Sequence, residues 1–165
     1  MKLPSFTTLS ALLLASEIML AVAKRSKAVD NAKDRLTLPL LWTVIFVSIF
    51  AGLVLFVLGL IVRWIAIIHL GRFFTVNVAI AKDHQLITTG PYRYVRHPSY
   101  TGTLLIFLGF GLCMLNIFSL AAVFLPITAA FLWRMHVEEK ALLGAFGERY
   151  QSYIASSHRL IPYLY

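Results

Sequence analysis

Apolar side chains fill this chain in long unbroken runs, not in the one-sided stripe of a soluble helix. Residues 3–23 are apolar apart from Ser, Thr and Glu17, and a charged loop of five basic and two acidic residues follows at 24–35. Residues 36–62 then carry no charge for 27 positions, until Arg63 ends the run. Roughly 20 apolar residues cross a bilayer, so this run predicts one tilted transmembrane helix. Its tail, residues 64–70, lies at the interface, and Gly71 serves as the C-cap. Two short spans folded at Gly52 or Gly59 would fill the same length but lack a polar turn. Residues 99–133 are uncharged over 35 positions. At about 1.5 Å per residue that is too long for one span. Asn116 and Ser119 mark the turn of a helical hairpin whose two ends share one side of the membrane.

Past residue 133 the pattern changes. Val137, Ala141 and Leu142 recur at helical spacing and charges fill the other face, which predicts a helix that leaves the membrane and continues as an amphipathic segment over 134–156. Ile161-Pro162-Tyr163 adds side chains suited to an interface. The fold class predicted is an all-α integral membrane protein with four or five transmembrane helices and a C-terminal amphipathic helix. Residues 1–71 are assigned to N-terminal spans and 72–165 to a polar-looped core. Lys2 and the Ala21-Val22-Ala23 triplet also fit a cleaved signal peptide. The length of the first apolar run and its interruption by Glu17 favour a retained span. Glu17 reads as a helix-packing or interface contact.

Composition sharpens this picture. Fifty-nine per cent of the residues are apolar and the mean hydropathy is +0.80, beyond a soluble domain. The net charge of +8 collects in the polar connections. Basic residues flanking apolar runs indicate a membrane surface and not nucleic acid. Arg72, Lys82, Arg93 and Arg96 in the 72–98 loop, with Arg134, Lys140, Arg149 and Arg159 beyond the hairpin, outnumber the five basic residues of 24–35. The loop and tail are therefore expected in the cytoplasm. A four-span count puts the 24–35 loop on the opposite side, and a five-span count removes that conflict. The single cysteine, Cys113, excludes an intrachain disulfide and sits in an apolar run as a small packing residue.

Candidate chemistry concentrates in residues 84–102, the most polar part of the chain. Gly90-Pro91 and His97-Pro98 cannot lie within a regular helix, because each proline lacks a donor and drives its predecessor out of the α region. The hairpin brings this kinked loop to the same membrane face as residues 134–139. Together they offer carboxylates (Glu138, Glu139), cations (Arg93, Arg96, Arg134), imidazoles (His84, His97) and phenols (Tyr92, Tyr94, Tyr100), a set suited to a polar ligand of mixed charge. The competing reading makes the tyrosines an interfacial belt, Arg93 and Arg96 topology anchors, and Arg134 with Glu138 a surface ion pair. His84, His97 and His136 lack zinc-site spacing, and no metal is expected. No GxSxG, GxGxxG or Walker loop occurs, and nothing alternates as βαβ.

Gly90-Pro91-Tyr92-Arg93-Tyr94-Val95-Arg96-His97-Pro98-Ser99-Tyr100-Thr101-Gly102, a hairpin, and then Arg134-x-x-x-Glu138-Glu139 with Phe146-Gly147-x-x-Tyr150 resembles the isoprenylcysteine carboxyl methyltransferase family. It is also similar to the related phospholipid N-methyltransferases. The likeness covers about residues 70–163. It implies an integral-membrane enzyme using S-adenosyl-L-methionine. By that resemblance His84, Gln85, Leu86, Ile87, Tyr92, His97, Pro98, Ser99, Tyr100 and Glu138 line the cofactor, and Arg134 faces the substrate. Asn77, Glu139 and Arg96 match less firmly. The implied acceptor is a prenylated or other lipophilic small molecule, reached among membrane lipids. A chain this short implies a prokaryotic member in the cell membrane, with its active site facing the cytoplasm. Three other readings stand beside it. A phospholipid amine N-methyltransferase would use Glu139 to hold a cationic head. A sterol-type reductase has a similar His-Pro-x-Tyr-x-Gly loop but binds NADPH, and a non-catalytic membrane module would keep only a decayed site.

Overall fold

A computed structural model describes residues 12, 15–20, 23, 37–74, 85–162 and 165. Contacts divide the chain into two units, residues 1–41 and 42–165. In the first, residues 15–20 are helical and exposed, Glu17 among them. Helix α1 runs over Thr37–Leu70, α2 over Pro98–Cys113, α3 over Ile117–Phe146 and α4 over Glu148–Ser156. Short 3-10 turns lie at Gly71–Phe73 and Gly90–Arg93. The described residues hold no strand beyond an isolated bridge between Val95 and His158. Helices α1 and α3 are long and apolar enough to cross a membrane, and α2 is a shorter apolar helix.

Helix α1 is a single element of 34 residues, as the uncharged run and the capping glycine predict. Gly71 takes φ +53° directly after it, a conformation that glycine reaches without a Cβ clash. Gly52 and Gly59 do not fold the helix back. They lie seven residues apart, two turns, and with Ala66 they are the only buried described positions of α1. Its bulky side chains point outward: Phe50 and Ile68 are each 71% exposed. Helix α2 answers with Gly102 and Gly109, also seven apart. A Cβ built on Gly59 would lie 2.5 Å from the Gly102 carbonyl oxygen, and one on Gly102 would lie 2.6 Å from the Gly59 oxygen. A Cβ on Gly52 would lie 2.7 Å from the Gly109 oxygen. Backbone meets backbone along this seam, a device of helices that cannot draw on the hydrophobic effect in lipid.

The hairpin turns where the sequence places it. Leu115 takes φ +53°, and the Asn116 side chain accepts from the backbone N–H of Phe118 (2.9 Å) and Ser119 (3.2 Å), capping two orphan donors of α3. Helix α3 then continues without a break to Phe146. The amphipathic region is not one helix over 134–156: Gly147, at φ +53°, ends α3 and starts α4. Beyond α4 the chain folds back onto the polar loop. His158 donates its N–H to the Tyr94 carbonyl (2.9 Å), Arg96 N–H reaches His158 O (2.7 Å), and His97 N–H reaches Arg159 O (3.1 Å).

The seam predicts opposite outcomes at two glycines. Gly59→Leu would force α1 off α2, at a cost of about 1–3 kcal/mol or more, and should lower the melting temperature in detergent. Gly144 sits inside α3 with nothing within 4 Å of an added Cβ, so Gly144→Ala should raise stability by about 0.5–1 kcal/mol. Equal melting temperatures for Gly59→Leu and the wild type would rule out a close-packed seam.

Candidate active site

The kinked loop owes its shape to its glycines and prolines. Gly90 has φ +59°, and a Cβ there would lie 2.5 Å from the His69 ring. Pro91 is the second residue of the 3-10 turn, and its carbonyl accepts from Tyr94 N–H (3.3 Å) and Val95 N–H (3.2 Å). His97 is held outside the helix at φ −123°, ψ 56°, and Pro98 begins α2, where a missing donor costs nothing. The His97 carbonyl then accepts from the N–H groups of Tyr100 and Thr101.

Around His97 the polar side chains of the loop and of α3 meet. The ring is buried, and its Nδ1 lies 3.8 Å from Glu138 Oε2. That separation is too long for a hydrogen bond. Glu138 Oε2 is itself buried and has no hydrogen-bond partner among the described residues. The Tyr100 ring stacks on His97 with centroids 5.6 Å apart, and its hydroxyl accepts from Arg134 Nε at 2.7 Å. Phe131 closes the far side of Tyr100 at 5.0 Å. Arg134 and Glu138 are four residues apart and so share one face of α3. The result is a buried carboxylate oxygen facing an imidazole nitrogen with no hydrogen bond between them, a guanidinium one helical turn away, and aromatic walls.

Glu139 is organised differently. Its Oε1 accepts from Arg96 Nε and is hydrogen-bonded to His97 Nε2, both at 3.1 Å, and its Oε2 accepts from Arg159 Nε at 3.0 Å and from Arg159 Nη2. Arg96 also reaches the carbonyls of Ile154 and Ser157. Glu139 and Arg96, matched to the site less firmly, therefore face each other and the protein. A carboxylate whose lone pairs are so occupied has none left for a lipid's cationic head.

The other named positions take varied places. Tyr92 is buried, and its hydroxyl donates to Ala66 O at 3.3 Å across to α1. Burial pushes its pKa upward, reinforced by Tyr153 and Glu138. The Ser99 carbonyl accepts from Thr103 Oγ1 (2.9 Å) and Arg63 Nη1 (3.5 Å). Gln85 is exposed, while Leu86 and Ile87 are half-buried on the approach to the turn, and none of the three is bonded to the His97 group among the described residues. His84 and Asn77 lie outside the described residues.

Several supporting residues escaped the sequence reading. Arg159 holds Glu139. Tyr153 donates its hydroxyl to the Tyr92 carbonyl at 2.5 Å, and burial raises its pKa to about 12, so it stays a donor. His69 bonds Thr89 Oγ1 through Nε2 (3.0 Å) and stacks on Tyr92. Arg63 meets Thr103 Oγ1 as well as Ser99. Each joins residues at least 20 positions apart, and no local motif marks such pairs. For Arg63 one signal existed, a cation placed directly at the end of an uncharged run.

The sequence profile described as the isoprenylcysteine carboxyl methyltransferase (ICMT) family matches residues 52–144, from the glycine seam through Arg134, Glu138 and Glu139. A protein of Oryza sativa subsp. indica, described as a probable protein-S-isoprenylcysteine O-methyltransferase, is 31% identical over 159 residues, 95% of this chain and 82% of the relative. The protein-S-isoprenylcysteine O-methyltransferase of Schizosaccharomyces pombe is 37% identical over 110 residues, 64% of this chain and 47% of its own length. Among solved structures, the eukaryotic intramembrane Ras methyltransferase ICMT matches with a TM-score of 0.66 and 26% identity over 88% of this chain. The chain spans 60% of that larger protein. Profile, relatives and structure agree, and this chain belongs to the isoprenylcysteine carboxyl methyltransferase family.

Proposed function

We propose that this chain is an integral-membrane methyltransferase that uses S-adenosyl-L-methionine to methylate the carboxylate of an isoprenylcysteine-like or other lipophilic acceptor. The observation that carries this reading is the buried, unpartnered Oε2 of Glu138, set 3.8 Å from His97 Nδ1. A buried acceptor without a donor is costly, and a carboxylate oxygen so placed beside an imidazole nitrogen fits the ammonium end of such a cofactor. Residues 72–165 form the methyltransferase core, with the polar loop and tail on the cytoplasmic face of a protein of four or five spans.

When bound, S-adenosyl-L-methionine supplies a methyl group made electrophilic by its sulfonium. The chain's own residues have a positioning task. An acceptor carboxylate is already ionised, so no general base is required of the chain. Alignment and exclusion of water do the rest. Glu138 and His97 hold the cofactor's polar end, and Tyr100 walls it. His84, Gln85, Leu86, Ile87, Tyr92, Pro98 and Ser99 line the remainder. Arg134, steadied by Tyr100, receives the acceptor carboxylate, for which a planar guanidinium is well matched. The N-methyl alternative assigns Glu139 to a cationic head, and the three side chains already bonded to Glu139 weigh against it.

Two substitutions separate the roles. Arg134→Ala should lower turnover by about a hundredfold or more while cofactor binding stays measurable by calorimetry; parallel loss of both would remove Arg134 from the substrate side. Glu138→Ala should weaken cofactor affinity by about ten- to a hundredfold, the loss of one charge-assisted hydrogen bond. An unchanged titration would refute the assignment of Glu138.

A further inference from the structure

His97 has two ring nitrogens with different neighbours, and what Glu139 accepts decides which of them carries the proton. Glu139 takes hydrogen bonds from Arg96 and Arg159, both permanently cationic. A carboxylate in that position is ionised and has no proton to give. The contact between His97 Nε2 and Glu139 Oε1, at 3.1 Å, can then form only if Nε2 is the N–H. In the neutral ring this leaves Nδ1 as a bare acceptor, and Nδ1 is the nitrogen that faces Glu138. The His97 ring is buried, Glu139 is 11% exposed in its side chain, and Arg159 is 24% exposed.

We propose that Glu139 and Arg159 are positioning residues: Arg159, from the segment after α4, holds Glu139, and Glu139 fixes His97 as the Nε2–H tautomer with Nδ1 presented to the cofactor's ammonium beside Glu138. The role of Nδ1 rests on the cofactor reading above; the tautomer does not. The arrangement accounts for a paired Glu-Glu in which neighbours on one helix do different work. Glu138 faces the ligand, and Glu139 sets the partner that faces it too. It also gives the folded-back tail a part in the site, although Arg159 touches no ligand.

The test uses the full-length protein in detergent, ¹⁵N-labelled at histidine, with the His97 signals identified by their loss in His97→Asn. In the wild type, His97 should show a protonated Nε2 and a bare Nδ1; a ring protonated at both nitrogens would overturn the proposal. Glu139→Gln, whose amide can donate to Nε2, should shift the ring toward the Nδ1–H form and weaken S-adenosyl-L-methionine binding about tenfold, the worth of one hydrogen bond to a charged group. Arg159→Gln should move both readouts in the same direction, and Arg159→Lys should restore them in part. Identical His97 shifts in wild type and Glu139→Gln would overturn the proposal. So would an Arg159→Gln protein with a lowered melting temperature and unchanged affinity, the signature of a structural brace. If Glu139→Gln does not fold, the Arg159 pair carries both readouts. Ring shifts that respond in a protein that binds no S-adenosyl-L-methionine would sustain the tautomer device and defeat the cofactor reading.

Discussion

Three parts of this chain, distant in sequence, converge on one carboxylate. Glu139 stands on α3, Arg96 and His97 come from the kinked loop, and Arg159 comes from the returning tail. An ionised carboxylate buried without such partners would be strongly destabilising, and removal of one partner from a buried ionic set costs about 3–5 kcal/mol. The contact thus fixes the loop against the helix and the tail against both. Everything proposed for the site depends on that registration: the ring of His97, the approach of Glu138 to its Nδ1, and the stacking of Tyr100 that steadies Arg134.

A second constraint works from within the membrane. The glycine seam brings α1 and α2 close enough for backbone contact, and the small stripe of α1 ends at Ala66, whose carbonyl takes the Tyr92 hydroxyl. Two turns of seam therefore lead directly to the floor of the polar loop. His69, one turn further, bonds Thr89 and packs where Gly90 lacks a Cβ. Span packing and loop shape are continuous, so the apolar half of the protein is a template for the polar half.

Much of this was legible in the sequence because it is local. Prolines 91 and 98 announce a kinked loop, Asn116 a capped hairpin, Gly71 a helix end, and the four-residue spacing of Arg134 and Glu138 a shared face. The remainder is not local. Gly52 and Gly59 show no sign by themselves of whether they bend a span or pack it; the answer lies in Gly102 and Gly109, some fifty positions away. Glu139 was grouped with Glu138 because they are adjacent, yet neighbours on a helix point about 100° apart and meet different partners. Arg159 read as one more basic residue of the tail. Its role is set by the return of the chain beyond α4 onto the polar loop, which no periodic pattern encodes.

That return bears on the order in which the molecule is assembled. Arg159 is synthesised 20 residues after Glu139 and 63 after Arg96, so it leaves the ribosome once α1, α2 and most of α3 are available to the insertion machinery. Until then Glu139 has only Arg96 and His97 as partners. The charge set around Glu139 is thereby the last part of the pocket to become complete in the order of synthesis, after every residue of α1, α2 and α3.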